Sequence, residues 1–281
     1  MIISNILEEI EKVDPEIYDR LSPRRKAMQH FFRMGSKVAI AAVPLGLGAM
    51  FNKAYGQTVP AGVINVLQYA LTLEHFEARF YKDGFTAAPI PAGAESTAIM
   101  TIRDSEAKHV TFLQQVITAA GATPVAAKSA YDFTAKGTFP TVFTDYATFL
   151  AVAQVLEDTG VRAYKGRAGE LLGQKVYLTA ALGIHAIEAR HAAKIRYMRR
   201  MNGQAPTIKS YITGGNDTGI SAVNDNYGGA TPENNVTQAG IKITDLMGVG
   251  GNISVNAATE AFDEPLTTSE VLALVAPFGV S

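Results

Sequence analysis

The sequence predicts an all-α fold: an antiparallel four-helix bundle with a long crossover between its second and third helices, followed by an irregular C-terminal tail. Three observations predict it. Four stretches between Val59 and Met201 carry apolar residues at helical spacing. Two of them hold Glu-x-x-His, as Glu106 with His109 and Glu188 with His191. The other two hold Glu-x6-Tyr, as Glu74 with Tyr81 and Glu157 with Tyr164. The motifs recur at nearly constant shifts, 82 residues from 106 to 188 and 83 from 74 to 157. The region therefore reads as two similar helix hairpins, and two such hairpins packed antiparallel make a four-helix bundle with pseudo-two-fold symmetry.

Composition bounds the function classes. With 281 residues and 47% hydrophobic content, the chain can bury a sizeable core. A net charge of −1 argues against a dedicated nucleic-acid binder, which carries a basic excess. The absence of Cys removes disulfides, thiolate zinc sites, Fe–S clusters and a Cys nucleophile. No apolar run reaches the roughly 18 residues that a spanning helix needs.

Residues 1–56 form a polar and basic segment. Asp14-Pro15 fits a helix start, and Ser22-Pro23-Arg24-Arg25-Lys26 is followed by an apolar, Ala/Gly-rich run from Val38 to Phe51 and by Ala54-Tyr55-Gly56. Basic, then apolar, then small is the order of an export signal, and the paired Arg resemble a twin-arginine signal. That reading implies an exported or periplasmic protein. The other reading is a helix pair that stays on the protein, which leaves a cytoplasmic location open.

The bundle is expected over residues 57–202. Helix 1 starts at Val59-Pro60 and runs to about Lys82 on the stripe Leu67, Leu71, Ala78, Tyr81, with Asp83-Gly84 read as the start of a loop. Helix 2, from about Glu95 to Ala120, uses Ile99, Ile102, Leu113 and Val116, and Gly121 stops it. The crossover from Ala122 to Pro140 is expected to carry a short extended piece at Tyr131 to Thr134. Helix 3, from about Val142 to Leu172, uses Leu150, Ala153, Val161 and Tyr164. Helix 4, from about Gln174 to Met201, uses Ala181, Ile184, Ile195 and Met198. After Asn202-Gly203 the composition turns to Gly, Asn and Thr. Residues 203–281 read as a tail packed on the bundle, with a short helix over Val271 to Phe278 behind the capping box Thr267 to Glu270. Its Ile241, Ile243, Leu246, Phe262, Leu266 and Leu272 are expected to find a place to bury.

The motifs lie on the apolar stripes rather than opposite them. Glu74, Glu106, Glu157 and Glu188, with His109 and His191, therefore point into the core. Buried ionised carboxylates are very costly without partners, and no Lys or Arg shares these stripes near them. Two divalent cations balance four carboxylates and two neutral imidazoles. Oxygen and nitrogen donors without sulfur suit iron or manganese, with zinc compatible. Glu77, three residues after Glu74, is an alternative ligand, although its counterpart in the second half is Gly160. His185 is an extra ligand or an ordinary bundle-end histidine. His75 and His30 belong to no constellation.

This pattern resembles the ferritin-like di-iron carboxylate superfamily, whose ligand set is one Glu from each of two helices and Glu-x-x-His from each of the other two. The segments Leu71 to Tyr81 and Leu156 to Tyr164, and Ala261-Phe262-Asp263-Glu264-Pro265-Leu266 in the tail, are similar to bacterial ferritin-like and desiccation-related proteins; rubrerythrin-like domains share the motif spacing. The resemblance implies two iron ions bridged by Glu106 and Glu188, each capped by His109 or His191, with Glu74 and Glu157 terminal. Tyr81 and Tyr164 would hydrogen-bond ligands or an oxygen species, or else pack in the core with their hydroxyls satisfied. The implied reaction is of ferroxidase or peroxidase type, with O2 or peroxide as partner. Without Cys there is no rubredoxin centre, so turnover as a peroxidase needs an external electron donor. A homo-oligomer is compatible. The alternative is an exported structural or stress-protection protein that keeps the fold without turnover.

Overall fold

A computed structural model describes residues 59–248 and 250–280. The export-signal reading of the N-terminal segment lies outside these residues. Four long helices carry the architecture: α1 (Ala61–Ala87), α2 (Ala94–Ala119), α3 (Tyr146–Ala168) and α4 (Lys175–Met201). They pack mainly as two hairpins, α1 on α2 and α3 on α4. Among the described residues no helix is long and apolar enough to cross a membrane.

Helix α1 runs past the expected break at Asp83-Gly84. Gly84 is buried inside the helix, and a Cβ there would clash with the ring edge of Phe149 on α3. The glycine marks a close approach of two helices, not a turn. Gly84→Ala is therefore expected to destabilise the fold by about 1–2 kcal/mol in chemical denaturation, because overpacking outweighs the ~1 kcal/mol gain in helix propensity. An unchanged or raised midpoint would contradict this packing.

The crossover from α2 to α3 carries no strand among the described residues, contrary to the extended piece expected at Tyr131 to Thr134. The Asp132 carboxylate instead accepts from the backbone N–H of Thr134 and Lys136, both at 3.0 Å, and winds the segment into turns. Ala135 and Lys136 take positive φ of 50° and 56° there. The turns carry Phe133 and Phe143 into an aromatic cluster with Phe76, Phe80, Phe149 and Phe278; Phe80 and Phe149 stack at 5.2 Å. This cluster close-packs one end of the bundle.

Helix α3 is buried on every side from Phe149 to Tyr164, because the tail covers the face that the other helices leave free. Arg162 is fully buried. Its guanidinium donates to the carbonyls of Glu264, Asn226, Gly228 and Thr231, and Nε also lies 2.8 Å from Glu233 Oε1. Arg196 of α4 forks onto Asp158 at 3.0 and 2.6 Å and reaches Asp217. Tyr227 donates to the same Asp158 at 2.6 Å. At Gly166 the backbone carbonyl of Leu266 occupies the space a Cβ would need. The Ala261 to Leu266 stretch thus runs along α3, with Leu266 and Glu264 buried.

The tail contains short helices α5 (Asn224–Tyr227), α6 (Val255–Glu260) and α7 (Thr268–Val275), the last closed by the Thr267 and Glu270 capping box. Two small hairpins, β1 (Thr237–Gln238) with β2 (Ile241–Lys242) and β3 (Met247–Gly248) with β4 (Gly251–Asn252), lie in the stretch whose composition reads as irregular. The expected burial of the tail's apolar residues holds for Leu266 but fails for Ile241, Leu246 and Phe262, which are exposed. Polar anchors hold the tail, so the apolar residues at the hairpins are left outside the contact.

Candidate metal centre

The six side chains named from motif spacing converge at the middle of the bundle. Their donor atoms fall into two sets, each with its members within 4.8 Å of one another: Glu74, Glu106, His109 and Glu188, then Glu106, Glu157, Glu188 and His191. Every one of these side chains is buried. The local reason is helical: i and i+3 share a face, so each Glu-x-x-His presents two donors to one point.

The two carboxylates common to both sets split their oxygens between them. Glu106 Oε2 lies 3.2 Å from His109 Nδ1, and its Oε1 lies 2.7 Å from His191 Nδ1. Glu188 Oε1 lies 3.1 Å from His109 Nδ1, and its Oε2 lies 3.9 Å from His191 Nδ1. Glu74 Oε2 approaches only His109 Nδ1, at 3.2 Å, and Glu157 Oε2 only His191 Nδ1, at 3.5 Å. The two imidazoles stand 6.1 Å apart, centre to centre.

Glu106 and Glu188 thus face both imidazoles, whereas Glu74 and Glu157 face one each. The Nδ1 of each imidazole is surrounded by three carboxylates, yet a nitrogen carries at most one proton to share. Glu106 Oε1, Glu157 Oε2, both oxygens of Glu188 and His191 Nδ1 have no aligned hydrogen-bond partner among the described residues. Buried polar atoms normally have one. A donor set that is buried, oxygen-rich and unsatisfied in this way fits a pair of cations.

The tyrosines pair across the pseudo-symmetry. Tyr81 of α1 donates to Glu157 Oε1 of α3 at 2.5 Å, and Tyr164 of α3 donates to Glu74 Oε1 of α1. Glu157 and Glu74 are thus each fixed by the tyrosine of the opposite hairpin. Residues 62–200 match the family model described as the ferritin-like domain. The bundle belongs to the ferritin-like superfamily. Neither curated proteins nor solved structures offer a match.

Burial dominates the electrostatics of this ferritin-like centre. It raises Glu74 to about 7 against the hydrogen bond from His109, and it raises Glu188 well above the usual range, helped by the charges of Glu106 and Glu74. Glu106 goes the other way. Burial pushes it up, but contacts to His109 and His191 prevail and hold it at about 2. Burial alone would lower the two histidines, yet the surrounding carboxylates raise His109 far above its ordinary value and His191 to about 11. Burial also raises both tyrosines well above 10, which keeps their phenols protonated as donors.

Glu77 adds a fifth carboxylate. It is buried, and burial with the charges of Glu157, Glu106 and Glu74 raises it well above the usual range. Its Oε1 lies 3.2 Å from the point where a Cβ at Gly160 would stand, and Glu188 Oε2 lies 3.7 Å from that same point. The missing side chain at position 160 makes room for Glu77 beside Glu188. It belongs to neither four-residue donor set. His185 stands apart, contacting the carbonyl of Val161, and His75 contacts that of Val125; neither belongs to the donor sets.

A pH signature follows. A carboxylate with a raised folded pKa costs stability once the unfolded chain ionises. Glu74 therefore makes the metal-free protein less stable as pH rises from 4.5 towards 7. The contribution of His191 is complete below its ordinary 6.5 and is lost as pH rises through 11. Glu106 contributes above 4.5 and loses that only as pH falls through 2. The melting temperature of chelator-treated protein is expected to fall between about pH 5 and 8, while the stabilisation gained on adding metal grows, because cations displace protons from the same donors. Parallel pH profiles with and without metal would speak against a metal site.

Proposed function

We propose that this ferritin-like bundle is a di-metal oxidoreductase of ferroxidase or peroxidase type, with two iron ions held by Glu74, Glu106, His109, Glu157, Glu188 and His191. The observation that carries the reading is the split of the Glu106 and Glu188 oxygens between the two histidines, in a buried site with unsatisfied donors. Manganese and zinc fit the same donors by chemistry. Bound ferrous ions would supply one electron each to O2 or peroxide.

The protein's own part is to bind, hold and exclude. Glu106 and Glu188 would join the ions. Tyr81 and Tyr164 keep their protons and fix the orientation of Glu157 and Glu74. Glu77, next to Glu188, is held protonated by its burial and would offset added positive charge at the site by releasing its carboxyl proton. The aromatic packing around Phe80 and Phe149 excludes water from one side.

The test loads purified protein with Fe(II) without oxygen, counts the bound iron, then follows the near-ultraviolet absorbance after O2 or hydrogen peroxide is added. Two irons per chain, and oxidation much faster than in buffer, support the reading. A loaded protein that oxidises no faster than free Fe(II) would exclude redox turnover.

A further inference from the structure

The two ends of the metal centre are not alike, although the motifs are pseudo-symmetric. Beyond Tyr81 the bundle is filled by the Phe80, Phe149, Phe133 and Phe143 cluster. Beyond Tyr164 there is a cavity of about 20 Å³. Its lining includes Ala70, Leu113, Tyr164, Ala181 and Ile184. Three of these mark its place. Ala70 precedes Glu74 by four residues, Leu113 follows His109 by four, and Ile184 precedes Glu188 by four. Four residues are one helical turn, about 5–6 Å. The cavity therefore lies one turn from three of the site's side chains, on three different helices. The ring of Tyr164, whose hydroxyl reaches Glu74, forms part of its wall.

We infer that this cavity is the docking site through which molecular oxygen, as an apolar diatomic, reaches the metal centre from the Tyr164 side. The inference rests on the redox reading above and names its oxidant. Size and chemistry argue for it. The volume admits a molecule of one or two heavy atoms. A water would need two to four polar partners, and among the polar side chains of the lining only the Tyr69 hydroxyl is without a hydrogen-bond partner, one group where at least two are needed. Arg167 donates to Asn65, Glu170 and Thr268, and the Tyr164 hydroxyl to Glu74. Hydrogen peroxide, with two hydroxyl groups to satisfy, meets a mostly apolar wall that offers it the Tyr69 phenol alone.

The test pairs a binding readout with a kinetic one. Crystals of the iron-loaded protein are pressurised with xenon, a probe of apolar cavities. Xenon is expected between Ala70, Leu113 and Ile184. Two filling variants are compared, Ala70→Leu from α1 and Ala181→Leu from α4, where the residue is only half-buried and repacking is easier. Either is expected to displace xenon and to slow oxidation of bound Fe(II) by O2 on the order of tenfold, while oxidation by peroxide stays within about twofold. An empty cavity under xenon, or equal slowing of both oxidants in a folded variant, overturns the inference. Xenon in place with neither oxidant reacting in the unmodified protein overturns the redox reading and the oxygen assignment together.

Discussion

Glu188→Leu is expected to reduce the bound metal from two ions per chain to at most one, and to leave the metal-free protein as stable as before or more stable by up to about 2 kcal/mol. The sign is the informative part. Glu188 is fully buried, and neither oxygen has an aligned partner among the described residues. A side chain of similar size without charge relieves that burial. Were Glu188 instead one half of a structural ion pair, its loss would cost about 3–5 kcal/mol. Metal analysis after dialysis, beside chemical denaturation in chelator, reads both quantities. The same argument applies to Glu106 more weakly, because its contacts to His109 and His191 hold it ionised without metal.

Arg162→Ala is expected to be the most damaging substitution outside the centre, at about 3–5 kcal/mol, because it strands a buried carboxylate. Arg162 anchors carbonyls at Asn226, Gly228, Thr231 and Glu264, and lies against Glu233. Burial already raises Glu233 to about 7 with Arg162 beside it. Without the guanidinium, the tail loses its main fixation to α3. Limited proteolysis should then cut first between Asn224 and Glu264, while the four-helix core persists. Arg162→Lys is expected to recover little, since one ammonium cannot present the planar fork of donors used here. Wild-type-like denaturation of Arg162→Ala would refute this account of the tail.

Much of the bundle is legible in the sequence because its determinants are local. Leu67, Leu71, Ile99, Leu113, Leu150, Ile184 and Ile195 repeat at helical spacing and are buried, and Glu-x-x-His puts its pair on one face wherever a helix forms. What escapes is what connects distant segments. Asp158 and Arg162 look like solvated charges on the outer face of α3. Only the tail, folding back from more than fifty residues away, makes them its buried anchors. Gly84 reads as a break because its close approach to Phe149 is a tertiary fact. The crossed pairing of Tyr81 with Glu157 and Tyr164 with Glu74 has no local signature. The cavity beyond Tyr164 has none either, since it arises from small residues on separate helices.

The central claim is that one buried cluster holds two ions. Anomalous diffraction at the iron edge, from crystals grown with Fe(II) under exclusion of oxygen, tests it most directly. Two peaks about 3.5–4 Å apart are expected, one beside His109 Nδ1 and one beside His191 Nδ1, with Glu106 and Glu188 touching both. No anomalous density among these six side chains, or a single ion bound elsewhere, would contradict the claim.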